Sequence, residues 1–178
     1  MKTKVGLVSD THGRIPQNVY AALSDCSIIL HAGDYHEPLR IESLGWSDDA
    51  TKPAPTVIAV CGNCDWDESY PAEQYFDIDG VKIYLCHGHR FAYAEEPWDT
   101  AIAHSLLYAN KHKLPKEKPD VIVFGHLHKP MDFVHQGVRF INPGSPTRPR
   151  NGKPTLAVMT IDNSVITYLE WFEFDSTY

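Results

Sequence analysis

Lys4-Val5-Gly6-Leu7-Val8-Ser9-Asp10-Thr11-His12-Gly13 is a nearly continuous apolar run that stops abruptly at an acid, a hydroxyl, an imidazole and a glycine. An apolar run without polar alternation suits a strand buried on both faces, as in the middle of a parallel sheet. In open α/β sheets, sites are assembled beyond the carboxyl ends of such strands. The pattern recurs along the chain. Ser27–His31 (SIILH) leads to Gly33-Asp34, and Thr56–Val60 (TVIAV) leads to Gly62-Asn63. Val81–Cys86 (VKIYLC) runs into His87-Gly88-His89, and Asp120–Phe124 (DVIVF) into Gly125-His126-Leu127-His128.

Between these runs, Pro16–Ser24 has helical spacing with proline in the first turn, and Trp98–Lys113 reads as a longer helix with basic residues toward its end. The last third changes character. Met131–His135, Val138–Ile141, Thr155–Ile161 and Val165–Phe174 read as strands joined by turns at Gln136-Gly137 and Asp162-Asn163-Ser164, while Asp79-Gly80 joins Tyr75–Ile78 to the strand at Val81. The expected fold is α/β: two mixed β-sheets packed as a sandwich flanked by helices, a single domain over residues 1–178. No repeat, low-complexity segment or linker interrupts it.

A chain of 178 residues buries a self-sufficient core. A formal charge of −7 without any Lys/Arg-rich block excludes an extended nucleic-acid surface or attachment to an anionic membrane, although a local cationic site is still allowed. Four scattered cysteines fit free thiols in a reducing compartment. The apolar run after Lys2 and Lys4 ends at Asp10, too short for a secretory leader or a membrane span. A soluble, cytoplasmic protein is expected, and a homo-oligomer is compatible with the sequence.

The strand-end clusters each set Asp, His or Asn beside a small residue, which brings donor atoms together without crowding. Asp10 and His12 are spaced i, i+2, so at the end of an extended segment both are expected to point one way; His126 and His128 repeat this, with Leu127 toward the packing side. Asp34 adds a carboxylate able to bridge two cations, Asn63 a carbonyl oxygen, His87 an imidazole. These seven candidates exceed the needs of one tetrahedral ion but fill two five- or six-coordinate ions. Two dications against two aspartates leave a positive site that suits phosphate. A hydroxide bridging the ions is a nucleophile at neutral pH, and in-line phosphoryl hydrolysis is the chemistry to expect. Imidazole, carboxylate and amide oxygen without thiolate suit Mn2+ first, with Fe, Zn, Ni, Co or Mg also compatible.

The ordered series Asp10-Thr11-His12, Gly33-Asp34, Gly62-Asn63-Cys64-Asp65, His87-Gly88-His89 and Gly125-His126-Leu127-His128 resembles the calcineurin-like metallophosphoesterase superfamily. The Gly-Asn-Cys-Asp variant and Asn142-Pro143-Gly144-Ser145 resemble its small bacterial and archaeal phosphodiesterase branch. The resemblance spans roughly residues 4 to 170. It implies that Asp10, His12 and His128 bind a first metal, that Asn63, His87 and His126 bind a second, and that Asp34 bridges them. It implies a β-sandwich flanked by helices, acting on a small phosphodiester. A phosphomonoesterase on the same residues and a non-catalytic scaffold of the same fold are the alternatives. In many relatives a histidine follows the asparagine; here that position is Cys64, whose thiol is no imidazolium. The leaving-group proton then falls to His89 or to water, and esters with good leaving groups are expected to be favoured.

A redox reading of Val60-Cys61-Gly62-Asn63-Cys64-Asp65 needs a stabilised thiolate, and Asp65, Asp67 and Glu68 oppose one. A structural zinc site lacks a second cysteine pair. His31, His36, His104, His112 and His135 are read as core, surface or helix residues. Arg148 and Arg150, in a proline-rich loop that the resemblance places at the rim of the site, and Arg14, soon after His12, are candidate substrate contacts. Trp66 and Tyr70 are read either as a platform for an aromatic leaving group or as cover for a core edge.

Overall fold

The short apolar runs become the inner strands of two sheets. The computed structural model describes residues 2–37, 43–44, 53–66, 69–89, 98–108, 117–150 and 152–175. Among them β1 (Thr3–Val8), β2 (Ile28–His31) and β3 (Thr56–Ala59) run parallel, in the order β10-β9-β1-β2-β3 with β9 (Thr155–Asp162) antiparallel to β1 and β10 (Val165–Glu173) antiparallel to β9. The second sheet has the order β4-β5-β6-β8-β7. Its β5 (Val81–Cys86), β6 (Val121–Phe124) and β8 (Val138–Pro143) are parallel, and β4 (Glu73–Ile78) and β7 (Pro130–His135) are its antiparallel edges.

Both sheets are therefore mixed, and each inner strand is buried on two faces. Val5, Leu7 and Leu30 meet Ile83, Leu85, Val121 and Val123 between the sheets. The outer face of the first sheet, with Val8, Ile29 and Ala59, packs on Val19 and Leu23 of α1 (Gln17–Leu23). The outer face of the second, with Tyr84, Ile122 and Phe124, packs on Ile102, Ala103 and Leu106 of α2 (Trp98–Tyr108). Each such apolar side chain contributes about 1.5–3 kcal/mol when fully buried. The layers run helix, sheet, sheet, helix, as the sequence pattern requires.

Details differ where local chemistry competes. Pro16 is extended (ψ 151°) and caps α1 from outside, rather than lying in its first turn. The described part of α2 ends at Tyr108, and the basic residues expected toward its end lie outside the described residues. Asp162 stays in β9 and the turn tightens to Asn163-Ser164, both at positive φ (49° and 61°), as two-residue hairpin turns require. No disulfide joins the four cysteines. Among the described residues no helix is long and apolar enough to cross a membrane.

Candidate metal centre

The six parallel strands end at one rim, three from each sheet. Just past them the backbone leaves the extended region: Asp10, His12, Asp34, His36, His126 and His128 all have φ between 48° and 69°. This corrects the reading of an i, i+2 pair on an extended segment. The left-handed conformation costs about 1–2 kcal/mol for a residue with a Cβ, so it persists only where other bonds hold it. Asp10 and His12 donate their N–H groups to the carbonyls of Gly33 (3.0 Å) and Asp34 (2.9 Å), lacing the first two loops together.

The loops converge tightly. Asp10, His12, Asp34 and His128 each place a donor atom within 4.8 Å of the others, and all but the half-buried His128 are buried. His128 Nε2 lies 3.1 Å from Asp10 Oδ1 and 3.2 Å from His12 Nε2. Asp34 spans the centre: Oδ2 is 4.0 Å from His12 Nε2, and Oδ1 is 3.3 Å from His87 Nε2. The His126 ring stands 5.3 Å from that of His87, and the His89 ring lies 5.4 Å from His87 and 6.4 Å from His126. Asn63 is exposed, its amide donating to Cys64 Sγ at 3.3 Å.

Two imidazoles are oriented by carbonyls, which only accept. His87 Nδ1 donates to Ala32 O (2.6 Å) and His128 Nδ1 to Arg148 O (2.5 Å), so in the neutral rings Nε2 turns a lone pair toward the carboxylates. Asp10 Oδ1 and His87 Nε2 are buried without a hydrogen-bond partner. Buried polar atoms left so are costly. A lone pair and a carboxylate oxygen aimed at one spot are what a cation satisfies, so the donor set fits a divalent metal.

Electrostatics follow from burial and neighbours. Burial alone would raise the Asp34 carboxyl, yet the His87 ring and the Cys64 N–H (2.8 Å to Oδ1) hold it well below the carboxylate range. Burial lowers His12 and His126, with the charges of His128 and Arg148 adding at His12. For His87 and His128 burial also pulls down, but Asp34 and Asp10 respectively outweigh it and raise them. Burial, then Asp34 and Asp65, push the Cys64 thiol up to about 11, which closes the thiolate route that a redox pair needs. Asp67 and Glu68 lie outside the described residues.

Glycines permit the close approach. A Cβ on Gly62 would collide with Asp34 Oδ1, and one on Gly125 with Ser9 Oγ and, at 2.8 Å, with Ala32 O.

Several residues matter here beyond the sequence reading. Asp65, weighed there for its charge, accepts the N–H groups of Asp34 (2.8 Å), Gly62 (2.7 Å) and His36 (2.7 Å), pinning two loops with one carboxylate. His36, read as a bystander, has Nε2 3.0 Å from His12 Nδ1; Asp34-Tyr35-His36 repeats the spacing of Asp10-Thr11-His12, and that repeat was the available signal. Ser145 and Thr147 donate to the carbonyl of Asp10 (2.7 and 3.2 Å), and Asn142 to that of Gly125 (2.7 Å). His31 is fully buried with Nε2 3.1 Å from Thr11 Oγ1. His104 is exposed on α2, His135 is half-buried on β7, and His112 lies outside the described residues. Tyr70 covers the core edge, edge-to-face on Tyr35 at 5.5 Å, whereas Trp66 is 96% exposed. Arg14, Arg148 and Arg150 are exposed. The charge of Arg148 is felt at His12, and that of Arg150 at His126 and His128.

The model of the calcineurin-like phosphoesterase superfamily domain matches residues 3–164. The chain belongs to this superfamily. It is 30% identical over 165 residues to a protein of Methanothermobacter thermautotrophicus named "Probable metallophosphoesterase", covering 89% of this chain and 86% of that one. It is 26% identical over 186 residues to the phosphodiesterase YfcE of Escherichia coli K12, covering 93% and 91%. The structure of wild-type Vps29 from Entamoeba histolytica, complexed with zinc, superposes with a TM-score of 0.68 at 23% identity, covering 97% of this chain and 99% of that one. That likeness establishes the fold, two packed mixed sheets. As a metallophosphoesterase-family chain it carries an Asp/His cluster able to hold a divalent metal.

Proposed function

We propose that this chain is a dimetal phosphodiesterase acting on a small phosphoester. The observation that carries the reading is the convergence of Asp10 Oδ1 and His87 Nε2, both buried and unpartnered, with Asp34 reaching toward His12 on one side and His87 on the other. Asp10, His12 and His128 would hold one cation and Asn63, His87 and His126 the other, with Asp34 between them. When bound, the cations, Mn2+ by our assignment, supply Lewis acidity and an activated water near neutral pH.

The chain's own groups do the rest. Carbonyls of Ala32 and Arg148 keep the His87 and His128 rings turned inward. Asp65 holds the Asp34 and Gly62 backbones, so that the carboxylate and Asn63 stay in register. Arg150 adds positive charge beside His126 and His128, where a phosphoryl group would sit, and Arg is well suited to it. His89, whose ring lies beside those of His87 and His126, or water would handle the leaving-group proton. Cys64, its thiol protonated at neutral pH, leaves that step weak, and esters with good leaving groups are favoured. A scaffold role leaves the orphaned, inward-turned donors without a purpose.

The test is hydrolysis of bis(4-nitrophenyl) phosphate beside 4-nitrophenyl phosphate by chelator-stripped protein titrated with Mn2+, with His126→Ala as control. Metal-restored turnover of the diester, lost in the control, is expected. Turnover of the monoester alone assigns a phosphomonoesterase. No turnover with any divalent cation by folded protein overturns the reading.

A further inference from the structure

Beside the metal centre lies a cleft of about 240 Å3 whose walls come from four separated stretches: Arg14 to Asn18, Pro146 to Pro149, Pro154, and Phe174 with Asp175. It shares a wall with the centre. Thr147, which lines the cleft, donates its hydroxyl to the carbonyls of Asp10 (3.2 Å) and Thr11 (3.0 Å), and the N–H of Arg14 returns to Thr11 O (3.1 Å). Arg148 joins the two directly, since its carbonyl orients His128 and the residue itself lines the cleft. A ligand in the cleft is thus one loop away from the reacting phosphorus.

The lining chemistry is specific. Among the described residues neither Arg14 nor Arg148 has a carboxylate at ion-pair distance, although the cleft contains Asp175; that carboxylate is taken by Lys153 Nζ at 3.3 Å. The two guanidiniums meet a wall of Phe174 and prolines that offers apolar contact, with Asp175 the one carboxylate among the lining residues. Arg150 does not line this cleft; its charge is felt at His126 and His128.

We propose that this cleft is a subsite for one ester arm of the substrate, and that it selects an arm ending in a second anionic group, a carboxylate or a further phosphate. The proposal rests on the phosphodiesterase reading and narrows it: the natural diester has an apolar stretch next to the scissile phosphate and a second negative charge beyond it. Arg14 and Arg148 are specificity residues that hold the arm and take no part in bond breaking.

The experiment uses Mn2+-loaded full-length protein and matched 4-nitrophenyl phosphodiesters. Their second arm is an alkyl chain of graded length ending either in a carboxylate or in the neutral carboxamide of the same size. At the best length, wild-type kcat/KM is expected to favour the carboxylate about tenfold, chiefly through KM, the size of one good charge-assisted contact. Arg14→Gln and Arg148→Gln should each shrink that ratio, and Arg14→Glu should invert it. Equal kcat/KM for the paired esters at every length, or a preference that survives both glutamine variants, overturns the subsite while leaving the phosphodiesterase reading intact. Failure of every ester to turn over overturns both.

Discussion

The two sheets bring different chemistry to their common rim. Loops after β1 and β2 of the first sheet supply both carboxylates of the cluster, Asp10 and Asp34, with His12; loops after β5 and β6 of the second supply the imidazoles His87, His126 and His128. The first half holds the two acids beside His12, the second brings imidazoles, and the cluster of Asp10, His12, Asp34 and His128 closes only where the two meet. The centre therefore reports on the packing of the sandwich as much as on its own residues.

The largest effect should come from the residue that faces both halves. Asp34→Asn removes half the anionic charge of the cluster, and we expect loss of tight metal binding with at least about a thousandfold fall in kcat, read by metal analysis beside kinetics. Full metal content with wild-type turnover would dismiss the spanning role. Next come the close approaches, one on each sheet. Gly62→Ala drives a methyl into Asp34 and Gly125→Ala drives one toward Ala32 O, so each should destabilise the apo fold by about 1–3 kcal/mol in denaturant melts. If only one does, the two rims are not equally tight. Asp65→Asn keeps the shape but weakens three N–H contacts, and should cost about 10- to 100-fold in metal affinity with little change in melting temperature. A variant that binds metal like wild type would reduce Asp65 to a loop filler.

The buried His31 sharpens the comparison by pH. Burial pushes it down to about 3, Asp10 only partly opposing, whereas an unfolded histidine titrates near 6.5. The folded-state value is depressed, so its stabilisation is present in full above about pH 6.5 and is lost as pH falls toward 3. In metal-stripped protein, His31→Gln should flatten the fall in stability across that window; an unchanged slope would remove His31 from the account. The smallest effect is expected at Cys64. Cys64→His should speed poor leaving groups more than good ones, by less than about tenfold, and an equal gain across a leaving-group series would sink the idea.

The alternation of apolar runs and polar strand ends made the sandwich legible, because strands buried on both faces leave no other pattern. Asp10, His12, Asp34, His87 and His128 were legible for the same reason, each following such a run. What stayed hidden was held by tertiary bonds rather than by type. Nothing in Asp65 announces three N–H partners, two of them about thirty positions away, nor in Ser145 and Thr147 a reach back to Asp10 across more than a hundred. The left-handed backbone at Asp10 and His126 was hidden too: these are not glycines, and only the lacing of loops holds them there. His36 was readable, but its exposure to solvent concealed its bond to His12.

The return of Ser145, Thr147 and Arg148 to the first loops has a consequence for biosynthesis. When His128 leaves the ribosome every acid and imidazole of the centre has been made, yet the carbonyl that orients its ring and the hydroxyls that hold the Asp10 carbonyl come only with the loop after β8. Sheet one is also unfinished then, because β9 must add beside β1 across most of the chain. Such long-range pairing forms slowly. The assembled donor cluster is therefore a late product of folding, and in a refolding experiment its formation should track closure of the last hairpin.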